Sequence, residues 1–435
     1  MKFYSTNSPA VHVPFKEAVF NSLPQDKGLY MPVSIPQLNP DFLRNLAKYS
    51  LPEIAFEVAK TMLSDAIPEK DLKAIVEDAI NFEAPIVKLE EDVYVLELFH
   101  GPSLAFKDFG ARFMSRVMSY FLRDGEKMLD ILVATSGDTG GAVALGFLGV
   151  SNTRVTILYP KGKVSPIQEQ QLTTNGQNIR AIEIDGTFDD CQALVKQAFV
   201  NTELNEKFRL TSANSINIAR LIPQAFYYVN AYAQLLREGK SEVVFSVPSG
   251  NFGNLGAGLL AWKMGLPVKQ FIAATNANDT VPQFLSTGFY KPKPSVATLS
   301  NAMDVGNPSN WIRIAHIFQD PEKLKQLISG CSYTDEQTKV AIEAVYKQYN
   351  YVVCPHTAIA WQALKDYQKA NPDNQAAGVF LSTAHPCKFP EVFSEEIAAK
   401  IVVPEQVKEL QGKPSLSVAL GTDFAGFKKY LLENA

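Results

Sequence analysis

From residue 93 onward, short apolar runs alternate with longer segments in which apolar residues recur every three or four positions. The runs fall at 93–98, 131–135, 155–159, Ile179–Ile184, 243–247 and 271–275, and Val and Ile dominate them. Strands alternating with helices predict a parallel sheet covered on both faces, so the fold class is α/β. Upstream the pattern differs. Residues 40–46 and Leu51–Leu63 place apolar side chains at helical spacing, and residues 1–82 are expected to form a mostly helical N-terminal domain. The stretch 283–313, rich in Pro, Asn, Ser and Thr, breaks the alternation and is expected to be an inserted loop region over a site. A buried-strand signal at 378–383 opens the tail, which ends in helical patterns.

The 435 residues, 46% of them hydrophobic, exceed what one core holds, since single cores stop growing near about 250 to 300 residues. Two or three domains are expected. The 41 basic and 45 acidic residues are scattered without a single-sign run, which argues against nucleic acid as a partner. The opening residues lack the apolar stretch of a signal peptide, and no run approaches the roughly 18 apolar residues of a membrane span. A cytoplasmic protein without membrane contact is therefore expected. Cysteines at 191, 331, 354 and 387 show no CxxC pairing, and His12, His316 and His356 show no metal spacing, so free thiols and no metal are expected.

Against this background Lys107 stands out, wedged among Leu104, Phe106 and Phe109 just after a strand-like run. Apolar surroundings penalise an ammonium and prepare a lysine amine to attack a carbonyl. A lone lysine so placed more often lays its stem on the core and reaches water with its head. Two other turns raise the chemical reading. In Ala134-Thr-Ser-Gly-Asp-Thr-Gly a strand ends in small polar residues where a helix begins, which converges free amides on an anion. In Pro248-Ser-Gly-Asn-Phe-Gly-Asn glycines let the backbone wrap a phosphate. Neither turn has the glycine order of a dinucleotide fingerprint, and Gly239-Lys-Ser precedes its strand where a Walker loop would follow one. Taken alone, either glycine turn serves equally well for tight packing of helix on sheet. Together with Lys107 they point to pyridoxal phosphate.

The motifs around these residues, with Leu98-Phe-His-Gly-Pro-Ser-Leu-Ala-Phe-Lys-Asp-Phe, Leu299-Ser-Asn-Ala-Met-Asp-Val and Ser382-Thr-Ala-His-Pro, resemble those of the threonine synthase family. The resemblance is collinear along essentially the whole chain. It implies a fold-type II pyridoxal-phosphate enzyme of the tryptophan-synthase β group, with two sheet-based αβα subdomains beside the N-terminal mostly helical domain. The catalytic region would span 83–435, its smaller subdomain roughly 110–215. The N-terminal helical domain and the long interdomain segment resemble those of the longer, monomeric bacterial and fungal members, so a monomer is expected.

Carried over by position, the resemblance makes Lys107 the Schiff-base lysine and Gly250, Asn251, Phe252, Gly253 and Asn254 the holders of the cofactor phosphate. Thr383 would face the pyridine nitrogen, a hydroxyl there moderating the electron sink. Thr135, Ser136, Gly137, Asp138 and Thr139 would receive the substrate carboxylate, and Ser215 and Arg220 the substrate phosphate. Ser103, where relatives carry threonine, keeps the hydroxyl. Asp138 stands where many fold-type II relatives place asparagine beside the ring hydroxyl, and it is expected to turn toward helix amides as a cap. His100 and His385 are expected to bond backbone, and Lys161 and Lys163 to be solvated. Asp304 shapes the site or caps a helix. The implied reaction converts O-phospho-L-homoserine and water to L-threonine and phosphate. A threonine or serine dehydratase, or a noncatalytic metabolite binder with this fold, remains open as an alternative.

Overall fold

Every residue of the run Val243–Pro248 is buried, as a strand covered on both faces must be, in a computed structural model that describes residues 1–123, 127–318 and 320–434. The chain divides into two compact units. One comprises Met1, Met31–Phe106 and Leu221–Val402; the other comprises Lys2–Tyr30, Lys107–Arg220 and the chain from Val403 on.

In the first unit six strands lie in the order Ile328–Ser332, Val268–Thr275, Val243–Pro248, Ala377–Ser382, Val93–Glu97 and Ile86–Glu90. All neighbours are parallel except the last pair. The helix Pro355–Ala370 starts with proline at its first turn and buries Ile359, Trp361 and Leu364 with Val95, Val244, Ile272 and Phe380 of the sheet. Leu51–Leu63 is helical as its spacing predicts. Ser50 and Glu53 close a capping box at its start, and Ile54, Val58 and Met62 form its buried stripe.

The second unit holds a five-stranded parallel sheet in the order Val418–Leu420, Ile179–Ile184, Thr153–Pro160, Leu129–Ala134 and Arg209–Ser212. Its core joins Leu132, Leu158 and Ile182 to Cys191 and Leu194 of the helix Phe188–Val200 and to Phe427 of the helix Phe424–Glu433. The antiparallel pair Lys2–Ser5 and Ser8–Pro14 precedes the helix Phe15–Asn21, so the mostly helical N-terminal stretch opens on two strands. Ser8–Pro14 is largely exposed and carries no apolar alternation, which hides it from a periodicity reading.

Parallel strands leave their carboxyl ends on one edge of a sheet, and ligands collect there. In the first unit the segments after Glu97, Pro248 and Ser382 carry the motif residues. In the second they are the segments after Ala134 and Ser212. No helix among the described residues is long and apolar enough to cross a membrane.

Candidate active site

The strand Val243–Pro248 runs into a glycine-rich turn and then the helix Gly253–Lys263. Gly250 lies so close to the turn Asn301–Met303 that a Cβ would sit 2.7 Å from Met303 Cα and 2.9 Å from Ala302 O. Phe252 takes a left-handed φ of 58° as the N-cap, which turns the chain into the helix. The amides of Phe252, Gly253 and Asn254 donate to no other described group. Asn254 Oδ1 accepts from Tyr227 Oη at 2.6 Å and Tyr228 Oη at 2.7 Å, and burial holds both phenols neutral. This fixes the amide orientation and leaves Nδ2 buried without a partner. Three backbone donors, a helix start and an orphaned amide donor form a cradle that an anion such as a phosphate would complete. The loop therefore fits the phosphate of pyridoxal phosphate.

The segment between Glu97 and Lys107 is bound to the tail motif along its length. Leu98 N donates to Ser382 O at 2.9 Å, Phe106 N to Thr383 O at 2.9 Å and His385 N to Leu104 O at 3.0 Å. The buried Lys388 donates from Nζ to the carbonyl of the buried Ser103 at 2.9 Å. Leu104 sits at φ 58°, a conformation rare for leucine and held by this lacing. The same peptide segment thus carries Ser103, the bond to Thr383 and, one residue after Phe106, Lys107. Lys107 is half-buried and opens the helix Lys107–Leu122, with Asp108 and Phe109 fully buried beside it in the chain.

In the second unit the turn after Leu129–Ala134 is capped by Thr135, whose Oγ1 accepts from the amides of Gly137 at 2.9 Å and Gly140 at 2.8 Å. The cap expected of Asp138 is thereby supplied by Thr135, whose hydroxyl lies before the helix start and reaches both amides. Asp138 Oδ1 instead accepts from Gln168 Nε2 at 2.9 Å, inside the helix Asp138–Phe147. Gln168 is set by its own capping box with Ser165 and fills the space over Gly137, where a Cβ would meet Gln168 Cδ at 2.4 Å. The Gly137 φ of 130° excludes a side chain on backbone grounds as well. With two amides bound to Thr135, those of Ser136 and Thr139 carry no bond to a described group and stand ready for an anion.

Asn214 Nδ2 donates to Ala134 O at 2.8 Å, so the residue before Ser215 is tied to the residue before Thr135. These two turns are neighbours in one unit. Asn217 Nδ2 holds Val19 O at 2.8 Å and Ser212 O at 3.2 Å, fixing the segment that leads into Arg220. Arg220 is buried, donates from Nη1 to Ala213 O at 2.5 Å, and lies on Gly110 of the helix that Lys107 opens. Burial pushes its guanidinium down to about 10 and the Asp108 carboxylate opposes the shift, so it stays cationic at neutral pH.

The remaining expectations sort by contact. His100 Nε2 pairs with Glu97 Oε2 at 2.7 Å; burial alone would raise the Glu97 carboxyl, but hydrogen bonds from His100 and Tyr351 hold it low. His385 Nδ1 accepts from Cys387 N at 3.2 Å, and burial pushes the imidazole down to about 4. Lys161 and Lys163 are exposed. Asp304 accepts from Thr298 Oγ1 at 2.7 Å and Asn276 Nδ2 at 2.9 Å, binding the long 276–304 segment together while burial pushes its carboxyl up to about 7. No group of metal-ligating side chains occurs among the described residues, and none of the four cysteines forms a disulfide. Gln168, Tyr227, Tyr228 and Lys388 are site-shaping residues that motif reading misses. Only Gln168 had a signal, the Ser165-Pro-Ile-Gln capping box.

Comparison with known proteins gives the family. The sequence matches the families described as threonine synthase N terminus over residues 2–80, pyridoxal-phosphate dependent enzyme over 81–383, and threonine synthase, C-terminal, over 357–431. It is 47% identical to a threonine synthase of Haemophilus influenzae, across 100% of both chains. The crystal structure of threonine synthase from Escherichia coli superposes with a TM-score of 0.92 at 45% identity, covering 100% of each chain. That of PLP-bound threonine synthase from Brucella melitensis gives 0.91 at 34% identity, covering 100% of this chain and 99% of the other.

Proposed function

We infer, because this chain belongs to the threonine synthase family of pyridoxal-phosphate-dependent enzymes, that it converts O-phospho-L-homoserine and water to L-threonine and phosphate. The observation that carries the substrate assignment is Arg220 packed on Gly110, three residues along the helix that Lys107 opens. Positions three apart share a helix face. An unphosphorylated amino acid offers that guanidinium no dianion, whereas a phosphate ester suits its fork.

Pyridoxal phosphate, when bound, supplies an electron sink for charge developing at the substrate Cα and Cβ. The amides of Phe252, Gly253 and Asn254, with Asn254 Nδ2, hold the cofactor phosphate, and Gly250 and Asn251 seat the loop. Thr383 would meet the ring nitrogen with a neutral hydroxyl. Ser136 and Thr139 bind the substrate carboxylate through their amides, and the Thr135 hydroxyl, with both acceptor positions filled, donates its proton to the same group. Asp138 and Gly137 shape that turn, and Ser103 fixes the segment that leads to Lys107. The Lys107 amine takes the proton from Cα and then one from Cβ; it returns one to Cγ after the phosphate has left and the other to Cα after water has added. Ser215 and Arg220 grip the γ-phosphate oxygens, favour the leaving group and keep the released phosphate in place. There it accepts the proton of the water that adds at Cβ.

In this reading the enzyme acts in the cytoplasm as a monomer with no nucleic-acid partner; the scattered charge supports the last point. Residues 1–82 form its N-terminal domain and 83–435 its catalytic region, a division supported by the family match that ends at residue 80. The test supplies the cofactor-loaded protein with O-phospho-L-homoserine, L-threonine and L-serine in parallel. Threonine and phosphate in equal amounts from the first are expected. Ammonia and a 2-oxo acid from threonine or serine, without threonine from the phosphate ester, would overturn the assignment in favour of a dehydratase.

A further inference from the structure

Arg313 is fully buried on the helix Trp311–Ile317, a place where a cation is expensive unless something answers its charge. Its Nη1 donates to Asn310 Oδ1 at 2.7 Å, and Asn310, equally buried, donates from Nδ2 to the carbonyl of Asn251 at 3.0 Å. That carbonyl and the Phe252 N–H are the two ends of one peptide group. A donor on the oxygen draws density away from the nitrogen and makes the N–H a stronger donor. The Phe252 amide is one of the three that donate to no other described group. Two further contacts from the same stretch brace the loop. Ser309 N donates to Asn251 Oδ1 at 2.5 Å, and Trp311 meets the Phe252 ring edge-on with centroids 5.8 Å apart.

We propose that Arg313 is a positioning residue for the cofactor phosphate, acting through Asn310 on the Asn251–Phe252 peptide and touching neither cofactor nor substrate. The guanidinium orients the Asn310 amide, the amide holds the peptide, and the peptide presents its N–H to the phosphate. A buried cation behind a loop that binds a dianion also gains from the weak screening of a protein interior. Burial lowers the guanidinium to about 9, which leaves it charged at neutral pH. The stretch 283–313 therefore acts as the outer wall of the phosphate loop.

This inference rests on the reading that residues 250–254 hold the cofactor phosphate, and the experiment keeps the two apart. Full-length protein stripped of cofactor is titrated by absorbance with pyridoxal 5'-phosphate and, separately, with pyridoxal, which lacks the phosphate. Arg313→Met should raise the dissociation constant for pyridoxal phosphate at least about tenfold while changing that for pyridoxal less than about twofold. Asn310→Ala, which removes the link and leaves the cation, should shift the same ratio in the same direction, and Arg313→Lys should recover part of the loss. Equal weakening for both ligands would mean a purely structural role and would overturn the proposal, as would an unchanged ratio in Asn310→Ala. Asn254→Ala serves as the control for the loop itself. A ratio of the pyridoxal phosphate constant to the pyridoxal constant that rises there but holds in Arg313→Met defeats this inference alone, whereas an unchanged ratio in Asn254→Ala defeats the loop assignment beneath it.

Discussion

Gly110 lies under the Arg220 side chain so closely that a Cβ built on it would sit 2.7 Å from Arg220 Nε and 3.0 Å from Arg220 O. Glycine in a helix interior costs about 1 kcal/mol relative to alanine, so its presence there needs a reason, and the guanidinium supplies one. Gly110→Ala should displace Arg220 from its seat while Lys107 and the cofactor loop keep their residues. Catalytic efficiency with O-phospho-L-homoserine should fall at least about tenfold, chiefly through KM, with cofactor content unchanged. Steady-state kinetics beside cofactor quantitation check this; unaltered efficiency would mean that Arg220 does not bind the substrate phosphate.

Thr135 accepts two amide hydrogens at a helix start, a role valine cannot take. Thr135→Val should destabilise the protein by about 1 to 2 kcal/mol and raise KM for the substrate, whereas Thr135→Ser should stay near the parent in both. Urea titration and kinetics on the two variants separate the hydroxyl from the methyl group. Equal behaviour of the valine and serine forms would remove Thr135 from the carboxylate site.

The motif residues are legible in the sequence where chemistry demands a residue type at a fixed place on the chain. Lys107 between apolar neighbours and the glycines of the 250–254 turn carry that signature, whereas Ser215 and Arg220 are reached only through the family resemblance. The strands Val93–Glu97 and Leu129–Ala134 are legible because burial on both faces makes them almost wholly apolar, whereas Ile179–Ile184 is legible from Ile179, Ile182 and Ile184 despite the half-buried Arg180 and Glu183 between them. What escapes reading is pairing at long range. The hydrogen bonds from Tyr227 and Tyr228 to Asn254, from Gln168 to Asp138 and from Lys388 to Ser103 join residues whose separation along the chain leaves no periodic trace. Asp138 illustrates the limit: an acidic residue at a helix start suits a cap, yet Thr135 takes that place and Gln168 claims the carboxylate. The edge strands Ile86–Glu90 and Val418–Leu420 escape for another reason, being short and only partly buried.

His385 gives a pH prediction. Its Nδ1 accepts from Cys387 N, so the neutral ring is the one the fold uses, and burial, with His100 and Lys388 adding repulsion against the attraction of Glu97, lowers the imidazole from 6.5 to about 4. The unfolded chain then binds the proton first as pH falls. The stability contributed by the neutral ring is present above 6.5 and is lost progressively as pH drops from 6.5 toward 4. Urea midpoints measured across that window should fall less steeply in His385→Asn, which keeps an acceptor for Cys387. Parallel slopes for parent and variant would assign the acid sensitivity elsewhere.

The Thr383 carbonyl accepts from Phe106 N, and in the proposed function its hydroxyl is assigned to the ring nitrogen, where a carboxylate would favour the protonated ring. Thr383→Asp should strengthen the electron sink and divert part of the turnover to keto-acid products. Product analysis by chromatography reads the partition, and an unchanged ratio of threonine to keto acid would show that residue 383 does not meet the ring.

The most direct measurement is borohydride reduction of the cofactor-loaded protein followed by mass mapping of its peptides. Reduction fixes the cofactor to whichever lysine carries it. The predicted result is one pyridoxyl group per chain, on Lys107, appearing in step with the loss of threonine formation and absent from Lys107→Ala. A pyridoxyl group on another lysine, or threonine formation surviving in Lys107→Ala, would contradict the account.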